Sequence, residues 1–329
     1  MNAVLGRMNG PLLGAFFVVG ASTLWGTTGT VATFAPSVSP LAIGAVAMGV
    51  GGLLQALYAV QPIASHWASL RGRWLLVSLG AAAVAVYPLA FYSSMHLSGV
   101  ALGTVVSIGS APLASAVIER LAERKELTRR WMLGALIGVA GAGLLCFAGD
   151  SAERPGAVAE AWAVPAGVLL GLVAGVTYAL YSWAAHRLIS GGVSSRAAMG
   201  AVFGLGGVLL MPVLAVTGRP LLESWGNFTV GAYMALVPMF AGYVLFGWGL
   251  ARVRASTATG LSLMETVVAA VLAVVVVGER LPALGWLGVA MVLASLFVLA
   301  PRQAGSQSGD RSGQACASAR TEARSTVGQ

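Results

Sequence analysis

Residues 256–277 read STATGLSLMETVVAAVLAVVVV, a run of twenty-two positions with a single ionisable side chain, Glu265. The hydrocarbon core of a bilayer is about 30 Å thick, and a helix rises about 1.5 Å per residue, so about 20 apolar residues make one crossing. This run is therefore a membrane span with one acid inside it. Working outward, nine further stretches have the same character: Pro11–Phe34, Pro40–Gln61, Trp74–His96, Ala101–Ile118, Trp131–Gly149, Val164–His186, Ala197–Thr217, Thr229–Leu250 and Leu284–Ala300. The connections left over are short, and no soluble domain fits among them.

Composition agrees. Of 329 residues, 57% are hydrophobic and 9% are charged, whereas soluble domains run at about 25% charged. A cytosolic enzyme, a secreted domain and a nucleic-acid binder are thereby excluded. The two cysteines, Cys146 and Cys316, make neither a disulfide framework nor a cysteine metal site. The first apolar run is longer than the 7–15 residues of a signal-peptide core, and it stays as span one. Residues 301–329 are rich in Ser, Gly, Gln, Ala and Arg with no apolar periodicity, and they read as a disordered tail.

The net charge of +8 is a matter of topology. With the N-terminus cytoplasmic and ten alternating helices, the cytoplasmic side holds Arg7, Arg71, Arg73, Arg120, Arg124, Lys125, Arg129, Arg130, Arg187, Arg196, Arg252, Arg254, Arg302, Arg311, Arg320 and Arg324. The outer side holds only Arg154, Arg219 and Arg280. Sixteen against three obeys the positive-inside rule, which predicts both termini in the cytoplasm of a bacterial inner-membrane protein.

The chain also repeats itself. Ser107-Ile108-Gly109-Ser110-Ala111-Pro112, then Leu127-Thr128 and Gly134, bridges spans four and five. Leu261-Ser262-Leu263-Met264-Glu265-Thr266, then Leu281-Pro282 and Gly288, bridges spans nine and ten. Pro112 to Gly134 and Thr266 to Gly288 are both 22 residues. Trp25 in span one and Tyr178 in span six match in the same way. Five helices per unit is an odd number, so the units sit upside down relative to each other, the architecture of secondary transporters. The expected fold is an all-α integral membrane protein of ten transmembrane helices in two inverted five-helix repeats, residues 1–150 and 151–300, with the tail 301–329 cytoplasmic.

At these residues the chain resembles a known family. Trp25-Gly26-Thr27-Thr28-Gly29, Tyr87-Pro88 to Gly99, Ala111-Pro112, and Leu263-Met264-Glu265 followed by Gly278-Glu279-Arg280-Leu281 and Gly288 resemble the EamA-type transporters of the drug/metabolite transporter superfamily. The resemblance spans nearly all of residues 10–300. It implies a ten-helix inverted-repeat carrier of small polar metabolites, commonly an exporter, similar to bacterial amino-acid exporters of the threonine and homoserine type. Three positions depart from the family pattern. Met48 stands where an Arg is frequent, Glu265-Thr266 replaces a Glu-Pro and so lacks the proline kink, and Arg124-Lys125-Glu126-Leu127 alters the charge order of the first unit.

Glu265 is the one acid well inside a span. A mid-bilayer acid costs about 2.5–3.5 kcal/mol on insertion scales and normally faces a cavity or a partner. It is neutral when dry and ionised when water reaches it, which is what a proton-coupled carrier needs. The opposing reading is a permanently protonated acid bonding nearby backbone. Trp25, Thr27, Thr28, Tyr87, Tyr92, Tyr178, Tyr181, Tyr243 and Gln55 are the candidate cavity residues, because they place polar tips within spans; packing and bonds to their own helices are the bland alternative. His66, His96 and His186 suit interfaces, and no metal or cofactor is expected. The glycine pairs Gly134/Gly138, Gly167/Gly171/Gly175 and Gly200/Gly204 read as close-packing faces. Glu279-Arg280 and the Glu119–Arg130 cluster read as loop charges that pair or fix topology, with gating second.

The sequence thus predicts proton-coupled export of an amino-acid-like metabolite, its partners being that substrate, protons and the lipid bilayer, with room for a homodimer and no nucleic acid. An uncoupled facilitator or exchanger of sugars, nucleotides or drug-like cations is the alternative within the fold. A membrane-embedded lipid-modifying enzyme is the rival class; Asp150, Glu153 and Glu160 are the one acidic outer stretch, and it lacks a histidine.

Overall fold

The computed structural model describes residues 10–98, 100–124, 128–149, 162–277 and 282–300. Arg7, Gly99, the 125–127 part of the first charged loop, Asp150 to Glu160, Gly278–Leu281 and the tail from residue 301 lie outside the described residues. Ten helical spans follow one another: α1 Gly10–Ala32, α2 Pro40–Tyr58 and α3 Trp74–Ser98; α4 Val100–Glu123 and α5 Arg129–Gly149; α6 Ala163–Ser190, α7 Ser195–Thr217, α8 Trp225–Leu250 and α9 Ala255–Val276; and α10 Ala283–Leu299. Seven of these, all but α4, α5 and α10, are long and apolar enough to cross a membrane by length and composition, and α10 is apolar but shorter. No strand occurs among the described residues.

Local chemistry sets where several spans begin. Ser39, Ser194 and Ser224 each turn an oxygen back to accept the free amide of Ala42, Ala197 and Asn227, at 3.2, 3.4 and 3.1 Å, and so cap the first turns of α2, α7 and α8. Pro40 follows its cap directly, in the helix position where its missing N–H costs nothing.

Inter-helix bonds at the helix ends establish the alternation. Arg73 before α3 donates to the Gly191 carbonyl after α6, Arg196 of α7 donates to Tyr58 at the end of α2, and Arg130 of α5 donates to Ala300 after α10. The Arg252 guanidinium lies over Phe17 near the start of α1. Odd-numbered helices therefore start, and even-numbered helices end, on one face, called here the N-terminal face. At the opposite face Ser94, near the end of α3, donates to Gly167 at the start of α6. Five alternating helices per unit put the second unit in the opposite sense to the first.

The packing repeats under exchange of α1–α5 with α6–α10. α3 packs on α6, and its counterpart α8 packs on α1; α4 packs on α6, and α9 packs on α1; α2–α7, α4–α9 and α5–α10 are self-matching pairs. Two groups result, each mixing the units: α6 with α3 and α4, and α1 with α8 and α9. The outer surface of the bundle is apolar, with Leu121, Val216 and Phe297 more than three-quarters exposed, a surface only lipid satisfies. Exposed Trp67 and Trp74 lie toward the N-terminal face, and exposed Trp225 and Trp286 toward the other, as in the aromatic belts of membrane proteins.

The glycine stripe Gly167/Gly171/Gly175 lies where α6 crosses α3 and α4. A Cβ on Gly167 would meet Ser98 Cβ at 2.6 Å, and one on Gly171 would meet Ser94 Oγ at 2.9 Å. These positions need glycine for the close approach.

Candidate functional site

The two groups part around a narrow cavity whose empty space, open mouth included, is about 460 Å³. Its walls come from α1, α2, α3, α6, α8 and α9. Three local irregularities shape it.

The first is in α1, whose helix stops at Trp25 and resumes at Thr28. Thr27 Oγ1 donates to the Leu24 carbonyl at 2.6 Å, and Thr28 Oγ1 donates to the Trp25 carbonyl at 2.7 Å. Hydroxyls thus take up carbonyls left over at the interruption. Gly26 lets α1 press on α9, since a Cβ there would meet Val268 Cβ at 2.6 Å and the Glu265 carbonyl at 2.8 Å.

The second is a pair of wide π turns, Ala45–Val50 in α2 and Ala235–Ala241 in α8, which face each other across the wall. Pro238 sits in the second and has no amide to give. The carbonyls freed there are bonded from the first unit: Trp25 Nε1 donates to Pro238 O at 2.9 Å, and Gln55 Nε2 donates to Phe240 O at 2.7 Å. Such turns often mark functional sites.

The third is in α9, which breaks between Ala255–Leu261 and Met264–Leu272. The missing proline of Glu265-Thr266 does not leave this span straight. Ser262 Oγ takes the Thr259 carbonyl at 2.8 Å, and the chain crosses the break on tighter backbone bonds, Leu263 N to Gly260 O at 3.3 Å, Glu265 N to Ser262 O at 2.9 Å and Thr266 N to Leu263 O at 3.1 Å, the last carbonyl also accepting from Thr266 Oγ1 at 2.7 Å. Glu265 stands in the first turn of the second half, where the positive end of the helix dipole lies.

Glu265 lines the cavity. Among the described residues its carboxyl makes no hydrogen bond and no ion pair, and no Lys or Arg lines the wall. A bond to nearby backbone, the alternative raised by the sequence, is absent from the described contacts. Around it stand Trp25, Thr28, Tyr87, Tyr92, Tyr178 and Tyr243, all on the wall. Their rings form a continuous belt: Trp25–Tyr243 at 4.8 Å between centroids, Trp25–Tyr178 at 6.3 Å, and Tyr178–Tyr87 at 5.7 Å.

Three other sequence candidates lie behind the wall. Thr27 shares a hydrogen bond with Tyr233 at 2.9 Å. Tyr181 is fully buried and shares one with the Tyr243 hydroxyl at 2.7 Å. Gln55 is buried with its amide on Phe240. The sequence reading did not single out Phe91, Pro88 or Met239 as wall residues. The Tyr-Pro motif at 87–88 and its helical spacing to Phe91 held that signal. Met48 also lines the cavity, so a thioether occupies the place where an Arg is frequent in the resembled family.

Toward the N-terminal face the cavity is sealed. Val18, Leu188, Phe246 and Leu250 are all fully buried beneath it. Among the described residues, the side-chain hydrogen bonds and ion pairs joining the two groups lie at the level of Tyr178 or on this side. Tyr181 meets Tyr243, and His186 Nδ1 meets the Leu250 carbonyl at 2.8 Å. Glu119 of α4 accepts from Ser256 N at 2.8 Å and from Ser256 Oγ at 2.9 Å, and pairs with Arg254 at 2.6 Å. The Glu119 side chain is 1% exposed, so the reading of it as a loop charge is corrected: α4 runs five residues past Ile118, where the sequence reading ended the span, because this acid is paired inside the protein. Glu123 accepts from Trp183 Nε1 at 2.9 Å and braces α4 on α6. His66 accepts weakly from the Ser194 amide, and among the described residues no group of His, Cys, Asp and Glu could hold a metal ion.

On the other side the two groups meet through apolar side chains, Phe91 of α3 and Ile108 of α4 lying in one cluster with Leu263 and Val267 of α9. α4 and α6 pack chiefly on Ala255–Leu261 of α9, whereas the half beginning at Met264 packs on α1, α5 and α10. The bonds there stay within one group, as in Asn227 Nδ2 to Ser37 Oγ at 3.0 Å and Ser94 to Gly167. The cavity lining thus lies on the far side of the inter-group bonds from the N-terminal face.

Comparison with known proteins gives the same architecture. The model of the EamA-like transporter family matches twice, over residues 12–147 and 165–300. An uncharacterised transporter of Bacillus subtilis strain 168, YwfM, is 34% identical over 295 residues, covering 88% of this chain and 95% of its own. A protein of Streptantibioticus cattleyicolor described as a probable terminal-alkyne amino-acid exporter is 23% identical over 300 residues, covering 87% and 95%. A solved crystal structure shares the fold with a TM-score of 0.68 at 19% identity, over 88% of this chain and 95% of its own.

Proposed function

Since the chain belongs to the EamA-like transporter family, and is a multi-pass membrane protein of that kind, we propose that it exports a small amino-acid-like metabolite by alternating access, in exchange for protons. The observation that carries this reading is the carboxyl of Glu265, unpartnered on the wall of a cavity between two helix groups. A group in that position holds a proton while the site is closed and dry, and releases it when water enters from one side. Its charge then attracts the ammonium end of a substrate, and the aromatic belt of Trp25, Tyr87, Tyr178 and Tyr243 favours the same cation. With no Lys or Arg on the described wall, the substrate carboxylate would rest on hydroxyls such as those of Tyr87 and Tyr92. Proton and substrate compete for one acid, and the competition couples their fluxes. The description of the Streptantibioticus relative as an amino-acid exporter supports the substrate class.

We take the N-terminal face as cytoplasmic. Among the described residues that face carries Arg71, Arg73, Arg120, Arg124, Arg129, Arg130, Arg187, Arg196, Arg252 and Arg254, against Arg219 on the other, and basic residues remain on the cytoplasmic side. The units divide near residue 150, and the protein carries out no covalent chemistry on its substrate.

The test is reconstitution into liposomes holding a pH-sensitive dye, with a panel of amino acids and other polar metabolites added in turn. Substrate-dependent proton movement is expected for one chemical class, and its loss in Glu265→Gln. Equal proton movement in both proteins would remove Glu265 from the coupling. Equilibration of labelled substrate with no proton movement would make the protein a facilitator or exchanger.

A further inference from the structure

We infer that Glu119, Arg254 and Ser256 form a latch that holds the N-terminal face shut, and that the protein therefore rests open to the opposite face. The inference builds on the alternating-access reading. It adds what sets the resting direction.

Glu119 belongs to α4, in one helix group, and Arg254 and Ser256 lead into α9, in the other. Their contacts span 137 residues of chain and join the groups near the N-terminal face. Both carboxylate oxygens are engaged, one by the Ser256 amide and the other by the Ser256 hydroxyl, and the Arg254 guanidinium is ion-paired with the second at 2.6 Å. An acid buried this far must be paired wherever it rests, since a bare charge there is strongly unfavourable. Opening the face separates α4 from the start of α9 and takes all three partners away together.

The repeat supplies the control. Pro112 matches Thr266 and Gly134 matches Gly288, a constant offset, which carries Glu119 onto Ala273, Arg254 onto Val100 and Ser256 onto Leu102. These residue types have no side-chain group to pair. An inverted repeat with identical units would favour neither face, because each gate is the image of the other. Here one gate has a charged latch and its image has none. Two side-chain hydrogen bonds between the groups among the described residues, Tyr181 to Tyr243 and His186 to Leu250, also lie on the latched side.

The experiment reads accessibility, not transport, so it stands apart from the identity of substrate and coupling ion. Protein lacking Cys146 and Cys316 is placed in nanodiscs, which expose both faces, and receives one reporter. Ser115→Cys sits one turn before Glu119 and is fully buried on the latched side; Thr28→Cys lies on the cavity wall. With the latch intact, a water-soluble maleimide is expected to label Thr28→Cys and spare Ser115→Cys. Adding Arg254→Gln should raise labelling of Ser115→Cys about tenfold or more and lower that of Thr28→Cys, the reciprocal change a two-state gate requires. Arg254 is partly exposed, so this variant should fold, which its melting temperature checks. Ser256→Ala should act in the same direction more weakly. Labelling of Ser115→Cys before any latch change, or no change of either reporter in folded Arg254→Gln and Ser256→Ala, would overturn the latch.

Discussion

Glu119 and Glu265 are two acids within apolar helices of one bundle, and their surroundings differ in every respect that matters. Glu119 is closed off from solvent and held at both oxygens, by an amide and a hydroxyl, with a guanidinium ion-paired beside them. Glu265 is on a cavity wall with no hydrogen-bond or ion-pair partner for its carboxyl among the described residues, in the first turn of a half-helix. A charge held in the first way binds two structural elements together. One placed in the second way is a burden on the fold that a proton or a substrate can relieve. The difference separates holding from working.

The largest expected effect breaks the first of the two. Glu119→Ala strands Arg254 and the Ser256 amide and should cost about 3–5 kcal/mol, the scale for removing one member of a buried pair; thermal unfolding in detergent measures it. Gly26→Val comes next, because its side chain must displace Val268 and the Glu265 carbonyl. A loss of about 1–3 kcal/mol is expected from such overpacking, with substrate binding weakened by displacement of α9. Tyr181→Phe removes one hydroxyl partner from Tyr243 and should cost about 1 kcal/mol. Smallest of all is Glu265→Gln, which should leave stability within about 0.5 kcal/mol of the parent while abolishing proton-coupled flux. Equal destabilisation by Glu119→Gln and Glu265→Gln would erase the distinction between the two acids.

Much of the fold was legible because membrane spans announce themselves in one dimension. The starts of α2 and α3 fall at Pro40 and Trp74 in both sequence and structure, and α7 and α8 end at Thr217 and Leu250 as read. The end of α4 was misjudged because a charge normally marks the end of a span, and the partner that lets Glu119 stay inside is 137 residues away. The same distance in sequence hid the roles of Trp25 and Gln55. Their donors satisfy carbonyls 213 and 185 residues on, at π turns that no apolar pattern foretells. The spacing of polar tips within spans did bring Trp25, Thr28, Tyr87, Tyr92, Tyr178, Tyr243 and Glu265 to one cavity wall. Which face each helix turns inward was not legible for Thr27 and Tyr181, because that depends on packing against helices of the other unit.

The break in α9 deserves its physical sequel. A proline would have written that bend into the covalent chain, since a ring nitrogen can never recover the hydrogen it lacks. Ser262 and Thr266 brace it with rotatable hydroxyls, and every residue from 262 to 266 keeps its amide hydrogen. The segment therefore holds all the donors of an unbroken helix, with the Thr259 carbonyl given to Ser262 Oγ and the Leu263 carbonyl shared between the hydroxyl and the amide of Thr266. Rotation about two Cα–Cβ bonds withdraws both hydroxyls. The bend beside Glu265 is a setting and not a fixture, and the backbone that carries the acid is free to be reset.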